Sequence, residues 1–317
     1  MRAIVLDGSG VRLQGDRPEP APGSGEVLVR VLRAGVCDTD LQLIAGYKGF
    51  EGVLGHEFVG VALEGRLAGR RVVGEINCSC GVCQTCRAGL PGHCPARRVI
   101  GIVNHDGAFA DMVAVPESNL HAVPDAVEPD VAVFTEPVAA AFQIPSQVSL
   151  RREDEVVVLG DGRLGNLCAQ VLAGIVDPLV VVGKHRDKLA LLDAMGIETR
   201  LLDERPGART ADVVVDCTGS PDGLTAALDI VRPRGTIILK TTIAGMQTLS
   251  LAPAVVDEVT IVGSRCGPFD RALEALAAGS VDVQPLISER FALDDGVMAI
   301  ARAAGPGVLK VILHVSD

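Results

Sequence analysis

Short runs of branched apolar residues, broken every few positions by glycine or proline, dominate the first 125 or so residues. Glu26-Val27-Leu28-Val29-Arg30-Val31-Leu32 and Val59-Gly60-Val61-Ala62-Leu63 are examples, and Pro22-Gly23 and Asp106-Gly107 are turn signals between such runs. The pattern predicts a β-rich domain of short strands. From Val156 the period changes. The apolar run Val156-Val157-Val158-Leu159 predicts a buried strand, and helical spacing follows from Leu164 to Leu172. Strand Leu179 to Val182 leads into a helix from about Arg186 to Met195, closed by Gly196. Strand Val213 to Val215, a helix from about Leu224 to Val231, strand Thr236 to Leu239 and strand Thr260 to Val262 complete the alternation. Strands alternating with helices predict right-handed βαβ units and a parallel sheet. The tail, 268–317, carries a helix (Arg271 to Ala278) and a strand (Leu309 to His314). It is too short for a domain, so it is expected to return to the first. The expected division is 1–137 with 268–317, and 138–267.

Composition fits this α/β reading. Of 317 residues, 48% are apolar but only 3% aromatic, with no Trp and one Tyr. Core volume must therefore come from Val, Leu, Ile and Ala, which suits parallel strands buried on both faces. The net charge is −11 and no block of Lys or Arg breaks it, which argues against a nucleic-acid partner. The apolar run at Met1 to Leu13 is too short for a signal peptide, and no window approaches the ~18 apolar residues of a membrane span. The chain reads as a cytoplasmic protein whose thiols stay reduced.

Those thiols carry the first chemistry. Five of the nine cysteines fall between Cys78 and Cys94. Cys80, Cys83, Cys86 and Cys94, in C-G-V-C-Q-T-C-R-A-G-L-P-G-H-C, have the number and spacing to place four sulfurs around one zinc ion. Such a closed site has no open position for chemistry, so it reads as structural. Cys78, two residues outside the set, could be an alternative ligand.

The strand Val156–Leu159 runs directly into Gly160-Asp161-Gly162-Arg163-Leu164-Gly165 and then a helix. This is G-x-G-x-x-G in its structural context. The first glycine allows the tight turn, the second lets backbone approach a pyrophosphate, and the third lets helix and strand pack closely. The end of the next predicted strand reads Gly183-Lys184-His185-Arg186. A dinucleotide site for NAD has an acidic residue there. Glycine followed by Lys184 and Arg186 suits the charge of a 2′-phosphate, so NADP is expected over NAD. Thr218, just beyond the strand ending at Asp216, is expected to line the same cleft.

A second donor set is scattered. Cys37 lies in G-V-C-D-T-D, His56 and Glu57 in G-H-E-F-V-G, and Glu136 in T-E-P-V-A. One sulfur, one nitrogen and carboxylate oxygens form the donor mix of a catalytic zinc site with an exchangeable position.

In this order, G-V-C-D-T-D, G-H-E-F-V-G, the four-cysteine loop, E-P-V-A and G-D-G-R-L-G, the chain resembles the zinc-containing medium-chain alcohol dehydrogenase family, essentially end to end. The resemblance implies a β-rich GroES-like catalytic domain joined to a doubly wound Rossmann domain. It implies two zinc ions per chain, a structural one on the cysteine loop and a catalytic one on Cys37 and His56. By the same resemblance, Glu57 ligates or withdraws as zinc exchanges water and substrate, and Glu136 stands where polyol and sugar dehydrogenases have Glu-Pro. Asp40 is implied to orient the histidine and Thr39 to take the alcohol proton, while Gln42 replaces the histidine that passes that proton outward in many members. The implied reaction is hydride transfer between NADP(H) and a small secondary alcohol, polyol or carbonyl compound, by a homodimer or homotetramer. An NAD-linked sorbitol- or sugar-type dehydrogenase, and a non-catalytic dinucleotide-binding regulator, are the alternative readings.

Overall fold

Ten residues, Glu26–Gly35, form the strand on which the N-terminal region is built. In this computed structural model, which describes residues 1–205, 207–243 and 249–317, the strand alternates buried Val27, Val29 and Val31 with half-buried neighbours. A register shift between Val31 and Arg33 then changes the phase, so that Leu32 and Ala34 become the buried residues. A bulge of this kind re-aims every side chain beyond it, because a strand has period two. The strand pairs with Glu57–Ala62, Met112–Pro116 and Lys310–His314 in a seven-stranded sheet that also holds Arg71–Gly74, Leu120–Ala122 and Ile287–Ala292. The pairing of Lys310–His314 is antiparallel, with Ile312 opposite Gly35.

The chain divides into two compact units. The first comprises Met1–Glu136, Ala272–Ala277 and Leu286–Asp317, and the second Pro137–Arg271 and Ala278–Pro285. The sequence pattern alone placed all of 268–317 with the first unit. The structure groups 268–271 and Ala278–Pro285, and also Pro137, with the second unit, where the Gln170 side chain bonds Asp282 backbone in both directions, at 2.8 and 2.7 Å.

The second unit is built on a six-stranded sheet in which every neighbouring pair is parallel. Its strands lie in the order Glu198–Leu201, Leu179–Gly183, Val156–Leu159, Ala211–Asp216, Val231–Leu239, Thr260–Gly263. The first strand in sequence, Val156–Leu159, is therefore central, and the order reverses beside it. This is the doubly wound dinucleotide-binding topology, in which a crevice opens at the carboxyl ends of the strands flanking the reversal. Val156, Val157 and Val158 are fully buried, which explains why the strand reads as an unbroken apolar run. Strand Glu198–Leu201 has no apolar run and lies at one edge. At the other edge, Thr260–Gly263 is mostly exposed.

One glycine of the first unit fixes the approach to the second donor set. Gly55 has φ +95°, and a Cβ there would lie 2.2 Å from the Phe109 ring, itself wholly buried. The left-handed turn presses backbone onto Phe109 and delivers the next residue, His56, into the interior. Gly55→Ala combines left-handed strain with overpacking, and is expected to cost about 2–4 kcal/mol. Urea titration of wild type and variant measures this; an unchanged midpoint would show that the turn relaxes freely.

Candidate active site and metal centres

The cysteine loop is held by a short helix, Gln84–Arg87, with Cys83 as its N-cap; the Cys86 N–H donates to Cys83 Sγ at 3.5 Å. The sulfurs of Cys80, Cys83, Cys86 and Cys94 converge, with separations of 4.0 Å (80–86), 3.5 Å (83–86), 3.9 Å (83–94) and 3.6 Å (94–80). A tetrahedron with Zn–S bonds of about 2.3 Å has edges of about 3.8 Å, so the quartet fits a zinc ion without rearrangement. All nine cysteines are free thiols. Backbone N–H groups of Val82 and Cys83 lower the Cys80 thiol to about 6, so it is a thiolate at neutral pH. Cys78 stands apart. It is buried, its Sγ donates to Ile76 O at 3.9 Å, and burial pushes its thiol up to about 12.

The second set is braced by one carboxylate. Cys37 is the N-cap of helix Asp38–Ile44, and Asp40 at the third helical position reaches back to accept the Cys37 N–H at 2.9 Å. The other Asp40 oxygen faces His56 Nδ1 at 3.4 Å, with both side chains almost wholly buried. With Nδ1 turned toward this carboxylate, Nε2 is the ring nitrogen left for a metal. Ligand atoms of Cys37, His56 and Glu57 lie within 4.8 Å of one another, and the Thr39 hydroxyl is 3.8 Å from Cys37 Sγ. Burial favours the neutral His56 ring, but Asp40 and Cys37 outweigh it and raise its pKa well above the ordinary value. The negative groups beside the ring thus favour a positive charge there, for which a proton and a metal would compete.

Lys310 was not singled out from the sequence. Its ammonium pairs with the Glu57 carboxylate, both side chains being wholly buried, and approaches Val36 O at 3.5 Å and the Phe134 ring centroid at 5.3 Å. The available signal was a lone charge within Leu309-Lys310-Val311-Ile312-Leu313. A charge in a buried strand requires a partner. Glu136, by contrast, is half-buried in the first turn of helix Thr135–Gln147 and lies outside the converging group.

In the second unit the three glycines differ in the way a phosphate turn demands. Gly160 has φ +116°, and a Cβ would meet Cys217 O at 2.6 Å; at Gly165 it would meet Gly160 O at 2.0 Å. At Gly162, the N-cap of helix Arg163–Ala173, it would meet nothing within 4 Å. The open face thus lies above Gly162, at a helix N-terminus suited to a pyrophosphate. Leu164 is half-buried in the first helical turn. Gly183 ends its strand, and Lys184 and Arg186 are exposed beyond it, Arg186 lying 3.7 Å from Glu204. Thr218 Oγ1 donates to Asp216 Oδ1 at 2.8 Å, holding the turn after strand Ala211–Asp216.

Comparison with known proteins agrees with this geometry. Residues 23–125 match the alcohol dehydrogenase GroES-like domain, and residues 164–279 the zinc-binding dehydrogenase domain. An L-threonine 3-dehydrogenase of Streptomyces coelicolor is 33% identical over 99% of both chains, and a sorbitol dehydrogenase of Halalkalibacterium halodurans is 28% identical over 100% of both. Among solved structures, a zinc-binding dehydrogenase of Sinorhizobium meliloti bound to NADP superposes with a TM-score of 0.86 at 27% identity. The rspB protein of Escherichia coli CFT073, complexed with NADH, gives 0.90 at 26%; each comparison covers 99% of both chains. The chain belongs to the zinc-containing medium-chain dehydrogenase/reductase family and is a zinc-dependent, NAD(P)-linked alcohol or polyol oxidoreductase.

The Cys80 thiol gives a test of the loop. Its folded pKa, about 6, lies below the ordinary 9.0, so the stability it contributes is full above the ordinary value and is lost as pH falls through about 6. After chelation, alkylation of Cys80 by iodoacetamide is expected to be fast at pH 7 and to slow below about pH 6, and added zinc should block it. Equal labelling with and without zinc, read by peptide mass spectrometry, would remove the loop from the metal sites.

Proposed function

We propose that this protein catalyses reversible hydride transfer between NADP(H) and a secondary alcohol or polyol, with one zinc ion on Cys37, His56 and a carboxylate and a second on the cysteine loop. The observation that carries the reading is the convergence of Cys37, His56 and Glu57 beside the Thr39 hydroxyl, braced from behind by Asp40. When bound, the catalytic zinc supplies Lewis-acid polarisation of the substrate oxygen. The chain's own residues do the rest. Thr39 relays the proton, taking it from the alcohol as it gives up its own, the hydride goes to the nicotinamide, and alcohol and NADP⁺ become carbonyl, NADPH and one proton. Gln42 cannot carry that proton further, so it leaves through water. Lys310 pairs with Glu57, the carboxylate of the converging group, while Glu136 lies outside that group and would have to approach it to serve as a ligand.

Polyol-type substrates are favoured by the Glu136-Pro137 pair and by the likeness to sorbitol and L-threonine dehydrogenases. NADP is favoured by Gly183 followed by exposed Lys184 and Arg186. A homodimer is favoured by the exposed edge strand Thr260–Gly263 together with Leu251, Val255 and Val256, which are 55%, 75% and 79% exposed. Among the described residues no helix is long and apolar enough to cross a membrane, and a cytoplasmic site of action suits nine reduced thiols.

A panel of secondary alcohols and polyols with NADP⁺ or NAD⁺, followed by nicotinamide absorbance, tests the reading. Cys37→Ala is expected to abolish turnover while circular dichroism stays unchanged. Asp40→Asn should lower kcat/KM by about 10–100-fold and weaken zinc retention. Full activity of Cys37→Ala would sink the proposed chemistry, and a lower KM for NAD⁺ would remove its NADP clause.

A further inference from the structure

Asp161 occupies the first variable position of the glycine turn, yet its side chain does not face the open side of that turn. Oδ2 accepts the Lys184 N–H at 2.5 Å and the His185 N–H at 2.6 Å, and His185 Nδ1 lies 3.1 Å from both carboxylate oxygens. The residue is 8% exposed. Burial works against its charge, but His185 and the two N–H groups hold the carboxyl below its ordinary value. The carboxylate thus ties the turn after strand Leu179–Gly183 to the turn after Val156–Leu159.

This carboxylate also explains Gly183. A Cβ at residue 183 would lie 2.5 Å from both Cβ and Oδ2 of Asp161. An acidic side chain at 183 could therefore enter only if Asp161 moved aside. At 183 the carboxylate would be offered to ribose hydroxyls; on Asp161 it is turned inward with its lone pairs engaged. The mouth of the turn then presents Lys184, His185 and Arg186, all exposed. His185 is fixed through Nδ1, and its side chain is 54% exposed. The two backbone N–H groups that could have held a phosphate are taken by Asp161, so recognition of a 2′-phosphate falls to side chains.

We propose that Asp161 is the positioning residue for dinucleotide discrimination: it locks the Lys184–His185 turn and the His185 ring so that these side chains read the 2′-phosphate. This rests on the NADP reading above. The lock and the bare negative charge of Asp161 act in opposite directions on a phosphate, so the sign of the mutational effect decides between them.

The test uses the full-length protein and measures Kd for NADPH and NADH by nicotinamide fluorescence, and for 2′,5′-ADP and 5′-AMP by calorimetry. Asp161→Asn is expected to weaken NADPH relative to NADH by about fivefold or more, the net worth of one hydrogen bond. The 2′,5′-ADP to 5′-AMP comparison should move in parallel. His185→Gln should shift the ratio in the same direction, and the double variant should add nothing. An unchanged ratio, with both dinucleotides weakened alike, would reduce Asp161 to a structural brace and overturn the proposal. A rise in relative NADPH affinity would overturn it too, by showing that charge repulsion dominates. Should Asp161→Asn fail to fold by circular dichroism, the His185→Gln ratio decides alone. Wild-type preference for NADH would defeat the NADP reading, whereas the role of Asp161 is read only from the change in ratio.

Discussion

Asp40 is the carboxylate on which the Cys37–His56–Glu57 cluster depends. One of its oxygens completes the N-terminus of the helix that begins beside Cys37, and the other faces the ring of His56 at the start of a sheet strand. Cys37 and His56, nineteen positions apart in sequence, are thereby referenced to a single group. A buried anion is costly unless its lone pairs are used, and Asp40 accepts the Cys37 N–H at a helix N-terminus with one oxygen while the other lies 3.4 Å from the imidazole. The position of that second oxygen bears on the direction in which the histidine can coordinate.

The charge around this group is balanced from the far side by Lys310. Glu57, next to His56, meets an ammonium carried on a different strand of the same sheet, and neither side chain reaches water. Breaking such a pair by removing one partner leaves an isolated buried charge, which costs far more than the pair gains. Close packing makes the arrangement rigid: a Cβ at Gly35 would lie 2.8 Å from Glu57 Oε2 and 3.2 Å from Lys310 Nζ. Any side chain at residue 35 would press directly on the pair.

Much of this was legible in the sequence, and the exceptions share a cause. Val156–Leu159 and Leu179–Val182 read as strands because both faces are buried, so no polar residue interrupts them. Glu198–Leu201 did not, because an edge strand with one ladder and partial exposure tolerates Glu, Thr and Arg. The cysteine quartet was legible because its four members are close in sequence. The pairing of Glu57 with Lys310 was not, because it joins residues 253 positions apart and only the sheet brings them together. Asp161 shows a third kind of gap. The glycine motif marks its neighbours as essential and leaves Asp161 a variable position, whereas the packing of Gly183 against it makes the two a single unit.

The strand that carries Lys310 has a consequence for how the protein is made. All of the second unit, through Pro285, precedes residue 310 in the chain, so that unit can close while the first still lacks a strand. Until then strand Glu26–Gly35 has a bare flank and Glu57 a buried charge without its counterpart. Contacts of such long sequence separation form late and slowly. The sheet beside the Cys37–His56–Glu57 cluster therefore cannot be completed until residue 310 has been made, and a nascent chain stalled before that point would lack the strand that pairs with Gly35.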